Sequence, residues 1–173
     1  VITPEWLTAL VEQAQRPGVG AVGAKLLYPD NRIQHAGVIV GIFGGAGHAF
    51  RSLPNNHTTY FDLADVTRNC SAVTAACMIV PRKVFDEVGG FDENLKVVYN
   101  DVDLCLRIRA HGYLVLYTPF AVLYHFESAT RGSLRPTKEE DLFCRRWADT
   151  IRVGDPYYNP SLTLTREDWS LRL

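Results

Sequence analysis

Asn100-Asp101-Val102-Asp103 places two carboxylates where a helix begins. A carboxylate there can take a proton from a hydroxyl, which is the work of a general base. It can equally do no more than meet the positive end of the helix dipole, and the local pattern leaves both readings open. At about 3.6 residues per turn, side chains two apart point about 200° away from each other. If both are helical, Asp101 and Asp103 therefore do not face one site together. One meets a cleft, and the other caps, pairs or meets solvent. Arg107 follows Asp103 by one turn and is placed to pair with it, while Val102, Cys105, Leu106 and Ile108 pack inward.

Further candidates lie on both sides. In Gly89-Gly90-Phe91-Asp92-Glu93 the glycines either stop a helix or allow a ligand to come close, and Asp92 is the residue that can hold a sugar hydroxyl. His125 follows a β-like run, a place for a metal ligand or a donor, or for a hydrogen-bonded structural imidazole. Arg131 sits in a polar loop, and its planar fork matches the oxygens of a diphosphate. His35, His48 and His57 fit no zinc spacing, and the glycines 41, 44, 45 and 47 lack the lysine of a phosphate loop. Trp147 reads as core, and Arg145 and Arg146 as surface.

The elements that must position these residues follow from periodicity and turn chemistry. Thr3 as cap and Pro4 at the first helical position open a helix that Pro17 and Gly18 close. Runs 19–28 and 32–40 are β-like, and Tyr28-Pro29-Asp30-Asn31 between them predicts a hairpin. Residues 41–69 form a long connection. The apolar run 70–80 predicts a buried central strand. A short helix over 81–88 comes next, then a loop, then the carboxylate helix, ending before Gly112. Strands over 113–117 and 121–124 are split by Thr118-Pro119. Thr137 and Glu140 predict a capped helix to about Val153, and 155–160 reads as a rigid extended tail.

Composition narrows the classes. The 18 basic and 19 acidic residues leave a net charge of -1, which gives no electrostatic case for a nucleic-acid partner. No apolar run is long enough for a membrane span, and the first residues do not read as a signal peptide. The four cysteines show no C-x-x-C spacing. Cys77 and Cys105 read as buried thiols, and the expected setting is reducing and cytoplasmic.

Taken together, the segments resemble the family 2 glycosyltransferases of the GT-A fold, in particular bacterial enzymes of polysaccharide and O-antigen assembly. The matching parts keep the family's order. They are Val19-Gly20-Ala21-Val22-Gly23-Ala24-Lys25-Leu26-Leu27-Tyr28, Ile33-Gln34-His35-Ala36-Gly37, Thr74-Ala75-Ala76-Cys77, the 84–93 stretch ending Gly89-Gly90-Phe91-Asp92-Glu93, Asn100-Asp101-Val102-Asp103-Leu104-Cys105-Leu106-Arg107, Gly112-Tyr113, Pro119, Tyr124-His125 and the 155–160 tail. The resemblance implies an α/β fold, a mixed sheet with flanking helices.

It also implies inverting transfer of a sugar from a nucleotide-sugar donor to a glycan or lipid-linked acceptor, at the inner face of the plasma membrane in the full-length protein. Asp101 takes the position of the family's base, with Asn100 where many members have Glu. Thr74, Gly90, Asp92, Asn100 and Arg131 are implied on the substrate side, and His125 near a donor-bound Mg²⁺ or Mn²⁺. The family's Asp-x-Asp metal motif belongs to an N-terminal nucleotide-binding half. Asp101-Val102-Asp103 has its letters in the base-helix context instead, so this chain is expected to be a partial GT-A domain cut after that motif, inactive alone. Residues 1–135 then form the acceptor and base half, and 136–173 a helix and tail packed on it. Apolar surface left uncovered predicts a homodimer. The rival classes are a carbohydrate-binding or interaction module without catalysis, and a zinc hydrolase built on the scattered histidines.

Overall fold

The run Val19–Leu27 is buried at every position, which a strand achieves only when both faces are covered. In the computed structural model, which describes residues 1–56, 59–126 and 138–172, this strand, β1, is the centre of a mixed sheet. The hairpin at Tyr28 to Asn31 forms as expected, with Asn31 in the left-handed region at φ 63°, and returns the chain as β2 (Ile33–His35) antiparallel to β1. The 32–40 run does not continue as one strand. It breaks at Gly37, φ 97°, and β3 (Val38–Val40) leaves to pair with β4 (Ala46–His48) in a separate two-stranded sheet. Strand β5 (Arg68–Asn69) lies within the expected long connection.

The predicted central strand over 70–80 is not there. Cys70, Ala72 and Val73 are buried, but as an irregular segment held by Val38, whose N–H donates to the Ala72 carbonyl. Thr74 then accepts the Ala76 N–H on its side chain and starts a single 3-10 turn, Ala75–Cys77. Only β6 (Met78–Ile79) reaches β1. An apolar run signals burial, and here the burial is that of a loop. Cys77, expected buried, is half-buried.

The place beside β1 belongs to β7 (Leu114–Tyr124), parallel to it, with β5 on the outer side. Thr118-Pro119 does not split β7 in two. The register jumps from Ala24↔Thr118 to Lys25↔Val122, so the proline sits in a bulge, where its missing N–H removes no ladder bond.

Helices cover the two faces. α1 (Trp6–Ala14) packs Leu10 with Val22, Ala24 and Leu26. Thr3 does not cap it. Its hydroxyl instead accepts the Val122 N–H and ties the chain start to β7. The other face carries α3 (Asn100–Ala110), preceded by α2 (Arg82–Glu87). Close approach there depends on glycine, because a Cβ on Gly20 would lie 2.4 Å from Ile108 and one on Gly23 2.5 Å from Val73. The last helix is broken at Trp147 into α4 (Lys138–Arg146) and α5 (Ala148–Val153), and the expected cap, Thr137, lies outside the described residues. The 155–160 tail is a turn rather than an extended rod. Asp155 accepts the Tyr157 N–H on one carboxylate oxygen and the Val40 N–H on the other.

Beyond that turn, Trp169 enters the main core, stacked on Phe50 at 4.7 Å and edge-on to Tyr158 at 4.9 Å. Trp169→Ala is expected to lower stability by about 3–5 kcal/mol in urea unfolding. Trp169→Phe keeps a stacked ring and gives up an indole N–H that has no partner among the described residues, so it is expected to cost clearly less.

Candidate functional site

The chain enters α3 through Tyr99, held in the left-handed region at φ 60° with its ring stacked 4.4 Å from Phe143 of α4. The two carboxylates of the first turn then diverge, as helical spacing requires. Asp101 turns one oxygen onto the Val102 N–H at 2.9 Å and the other onto the Ala75 N–H at 3.0 Å, which ties α3 to the 74–77 turn. Asn100 accepts the Asp101 N–H on its side-chain oxygen.

Asp103 points the other way and is fully buried. Arg107 Nε reaches one of its oxygens at 2.8 Å, and the other takes Arg146 at 2.8 Å and the Trp147 indole N–H at 2.9 Å. Both arginines extend the network. Arg107 donates to the carbonyls of Val88 and Gly90, and Arg146 to Asp92 at 2.6 Å. Arg146 is exposed, as its sequence suggested, but its guanidinium is committed to Asp103 and Asp92 because α4 lays it across the end of α3.

On the Asp101 side lies a cavity of about 900 Å³. Its wall brings together Thr74, Asn100, Asp101 and His125, four of the residues singled out by sequence. Gly90 and Asp92 are not part of it. Gly90 gives its carbonyl to Arg107, and Asp92 is occupied by Arg146 and by the N–H groups of Asn94. Arg131 and His57 lie outside the described residues.

Four lining residues were missed. His35 and His48 meet at 2.8 Å; Glu139 accepts the N–H groups of Val97 and Val98; and Glu167 accepts the His48 N–H at 2.7 Å. Those backbone donors hold Glu139 below the usual carboxylate range, whereas burial pushes Glu167 up. No local pattern announces Glu167, which stands 119 residues from its partner.

His125 is held at both ends. Its backbone N–H donates to the Leu27 carbonyl, and its ring Nδ1 lies 2.8 Å from the Gln34 side-chain oxygen, which leaves Nε2 as the nitrogen for a ligand. Among the described residues no group of three or more His, Cys, Asp or Glu side chains is placed to hold a metal ion. The four cysteines are free thiols, and burial pushes Cys70 up to about 11.

With this geometry in place, the sequence profile of the glycosyltransferase-like family 2 matches residues 1–150. The chain belongs to that family. Its mixed sheet with flanking helices is a partial GT-A domain. Among similar proteins, the O-antigen biosynthesis protein RfbC of Myxococcus xanthus is 48% identical over 99% of this chain and 14% of its own length. An uncharacterized protein of Sinorhizobium fredii, y4gI, is 51% identical over 99% of the chain and 20% of its own length. The N-acetylglucosaminyl-diphospho-decaprenol L-rhamnosyltransferase of Mycobacterium tuberculosis is 31% identical over 75% of the chain and 45% of its length. The chain therefore spans less than half of each of these relatives. Among the described residues no helix is long and apolar enough to cross a membrane.

Two outcomes follow from the anchoring network. Asp103→Ala leaves Arg107 and Arg146 without their shared carboxylate and is expected to lower stability by about 3 kcal/mol in urea unfolding. Asp92 is held down to about 2 by the Asn94 N–H, by Arg146 and by the Asn94 side chain, below the ordinary aspartate value near 3.9 of an unfolded chain. Its contribution to stability is therefore complete above about pH 4 and is lost as pH falls toward 2. Carboxyl NMR titration should place its midpoint at about 2, and Arg146→Ala should raise that midpoint.

Proposed function

We propose that this chain carries the acceptor side of a glycosyltransferase site, which moves a sugar from a nucleotide-sugar donor to a glycan or lipid-linked acceptor with inversion. Membership of the family supports sugar transfer. The relatives' names support the substrate class: one is named for O-antigen biosynthesis, and another pairs an L-rhamnosyl group with N-acetylglucosaminyl-diphospho-decaprenol.

The observation that carries the proposal is the posture of Asp101. Its carboxylate sits on the wall of a cavity large enough for sugar rings. Each oxygen takes one backbone N–H and keeps lone-pair capacity for a substrate hydroxyl. In the proposed step Asp101 accepts the proton of the acceptor hydroxyl while that oxygen forms a bond to the anomeric carbon. The bond from that carbon to the nucleotide diphosphate breaks, and the diphosphate leaves with the electron pair. Thr74 and Asn100, beside Asp101 on the same wall, serve as substrate contacts. Gly90 and Asp92 act behind it, through Arg107 and Arg146, and Arg131 is kept for the diphosphate. His125 would give one imidazole to a Mg²⁺ or Mn²⁺ ion, and such an ion would supply positive charge to the leaving diphosphate.

Asp101→Asn keeps the shape and one of the two N–H contacts, gives up the other because an amide NH2 does not accept, at a cost of about 1 kcal/mol, and removes the base. In the full-length protein it is expected to reduce transfer about 10²- to 10⁴-fold while the unfolding midpoint stays near that of the wild type. Transfer at the wild-type rate would remove Asp101 from the mechanism and favour a binding module without catalysis.

A further inference from the structure

Phe43 lies on the wall of the Asp101 cavity with 63% of its surface exposed. Its backbone is in the left-handed region, at φ 54° and ψ 21°, where a bulky side chain is disfavoured. Strain of this kind persists only where the surroundings impose it, and here the Phe43 N–H is fixed on the Leu164 carbonyl at 2.9 Å. The ring meets no other ring among the described residues, so core packing does not offset the strain. Three residues further along the same tail, Glu167 turns one carboxylate oxygen onto the His48 N–H at 2.7 Å, and its second oxygen has no hydrogen-bond partner among the described residues. A Cβ on Gly47 would lie 2.8 Å from Ile42 and 2.9 Å from the bonded oxygen, so the missing side chain is what lets this carboxylate stand beside the Ile42-Phe43 turn. The tail itself is anchored, by the Phe50 N–H on the Glu167 carbonyl and by the stack of Trp169 on Phe50. It lies beyond residues 1–150, so what it adds to the cavity is outside the part shared with the family profile.

An exposed aromatic ring beside a half-buried carboxylate suits one class of ligand. The face of the ring is negative and apolar, and it attracts the weakly positive C–H bonds along one face of a pyranose. The carboxylate accepts a proton from a hydroxyl at the edge of the same sugar. An alkyl chain on this ring would leave the carboxylate buried without a partner, and an anion would gain nothing from it. We propose that Phe43 and Glu167 form the subsite for a sugar ring of the acceptor, Phe43 stacking on its C–H face and the second Glu167 oxygen accepting one of its hydroxyls. Asp101, on the wall of the same cavity, is left to meet the attacking hydroxyl. This rests on the acceptor-side reading above.

The test has two arms, both on the full-length protein. The first is saturation-transfer NMR with the methyl glycosides of glucose, galactose, N-acetylglucosamine and rhamnose at millimolar concentration. At least one is expected to bind, with saturation strongest at the C–H protons of one ring face. Phe43→Gly is expected to weaken that binding about tenfold, and Phe43→Tyr, which keeps the ring, to bind as the wild type does. The unfolding midpoint of Phe43→Gly is expected at or above that of the wild type, because glycine suits the left-handed position and the lost ring was exposed. Glu167→Gln keeps a carbonyl for the His48 N–H and is expected to weaken binding about tenfold. No binding of any of the four glycosides, unchanged binding in Phe43→Gly or Glu167→Gln, or a midpoint lowered by Phe43→Gly overturns the proposal. In kinetics, Phe43→Gly is expected to raise the acceptor KM about tenfold, with the donor KM and kcat changed far less. A rise in the donor KM instead, or an acceptor KM that does not move, overturns it. Failure of the Asp101 reading shows separately, as wild-type turnover in Asp101→Asn, and leaves glycoside binding unchanged.

Discussion

A carboxylate taken fully out of water has to be met by opposite charge and by hydrogen-bond donors, or it destabilises the fold by several kcal/mol. Asp103 meets this demand with two guanidinium groups and an indole N–H, drawn from its own helix and from the α4–α5 break. Satisfying it fixes how α3 is rotated about its axis. With Asp103 locked inward, the residue two positions earlier must face the opposite side, and there Asp101 meets the cavity. The same contacts hold the Gly89-Gly90 turn through Arg107 and the Asp92 loop through Arg146, so a site on one side of the helix is held by a network on the other.

The rest of the architecture lets α3 and α4 come close enough for this. Small residues in β1 leave room for Ile108 and Val73, where any side chain would collide. Phe143, stacked on Tyr99, fixes the entry to α3, while Glu139 of the same helix takes the N–H groups of Val97 and Val98 just before it. The C-terminal tail packs Trp169 against Phe50 and sends Glu167 to the His48 backbone, so it completes both the core and the cavity wall.

Much of this was legible in the chain. The β1–β2 hairpin has a proline and two Asx residues at its turn. The opposition of Asp101 and Asp103 and the pairing of Asp103 with Arg107 follow from helical spacing alone. What was not legible depends on contacts between distant residues. Arg146 is a surface arginine, and nothing in the sequence shows that α4 sets it against Asp103, 43 residues away. His35 and His48 look scattered because only the β3–β4 fold-back brings them together. The 70–80 run misleads for a related reason: burial was read correctly, but β7 occupies the strand position that the run seemed to claim. Pro119 misleads in the opposite sense, because a bulge absorbs it.

The role proposed for Asp101 is to meet the attacking hydroxyl. It is tested most directly by a crystal structure of the full-length protein with its acceptor glycan bound. One acceptor hydroxyl oxygen is expected about 3 Å from an Asp101 carboxylate oxygen, inside the cavity bounded by Thr74 and Asn100. An acceptor seated in that cavity with its reactive hydroxyl against another carboxylate, and no substrate oxygen within hydrogen-bond reach of Asp101, would contradict it.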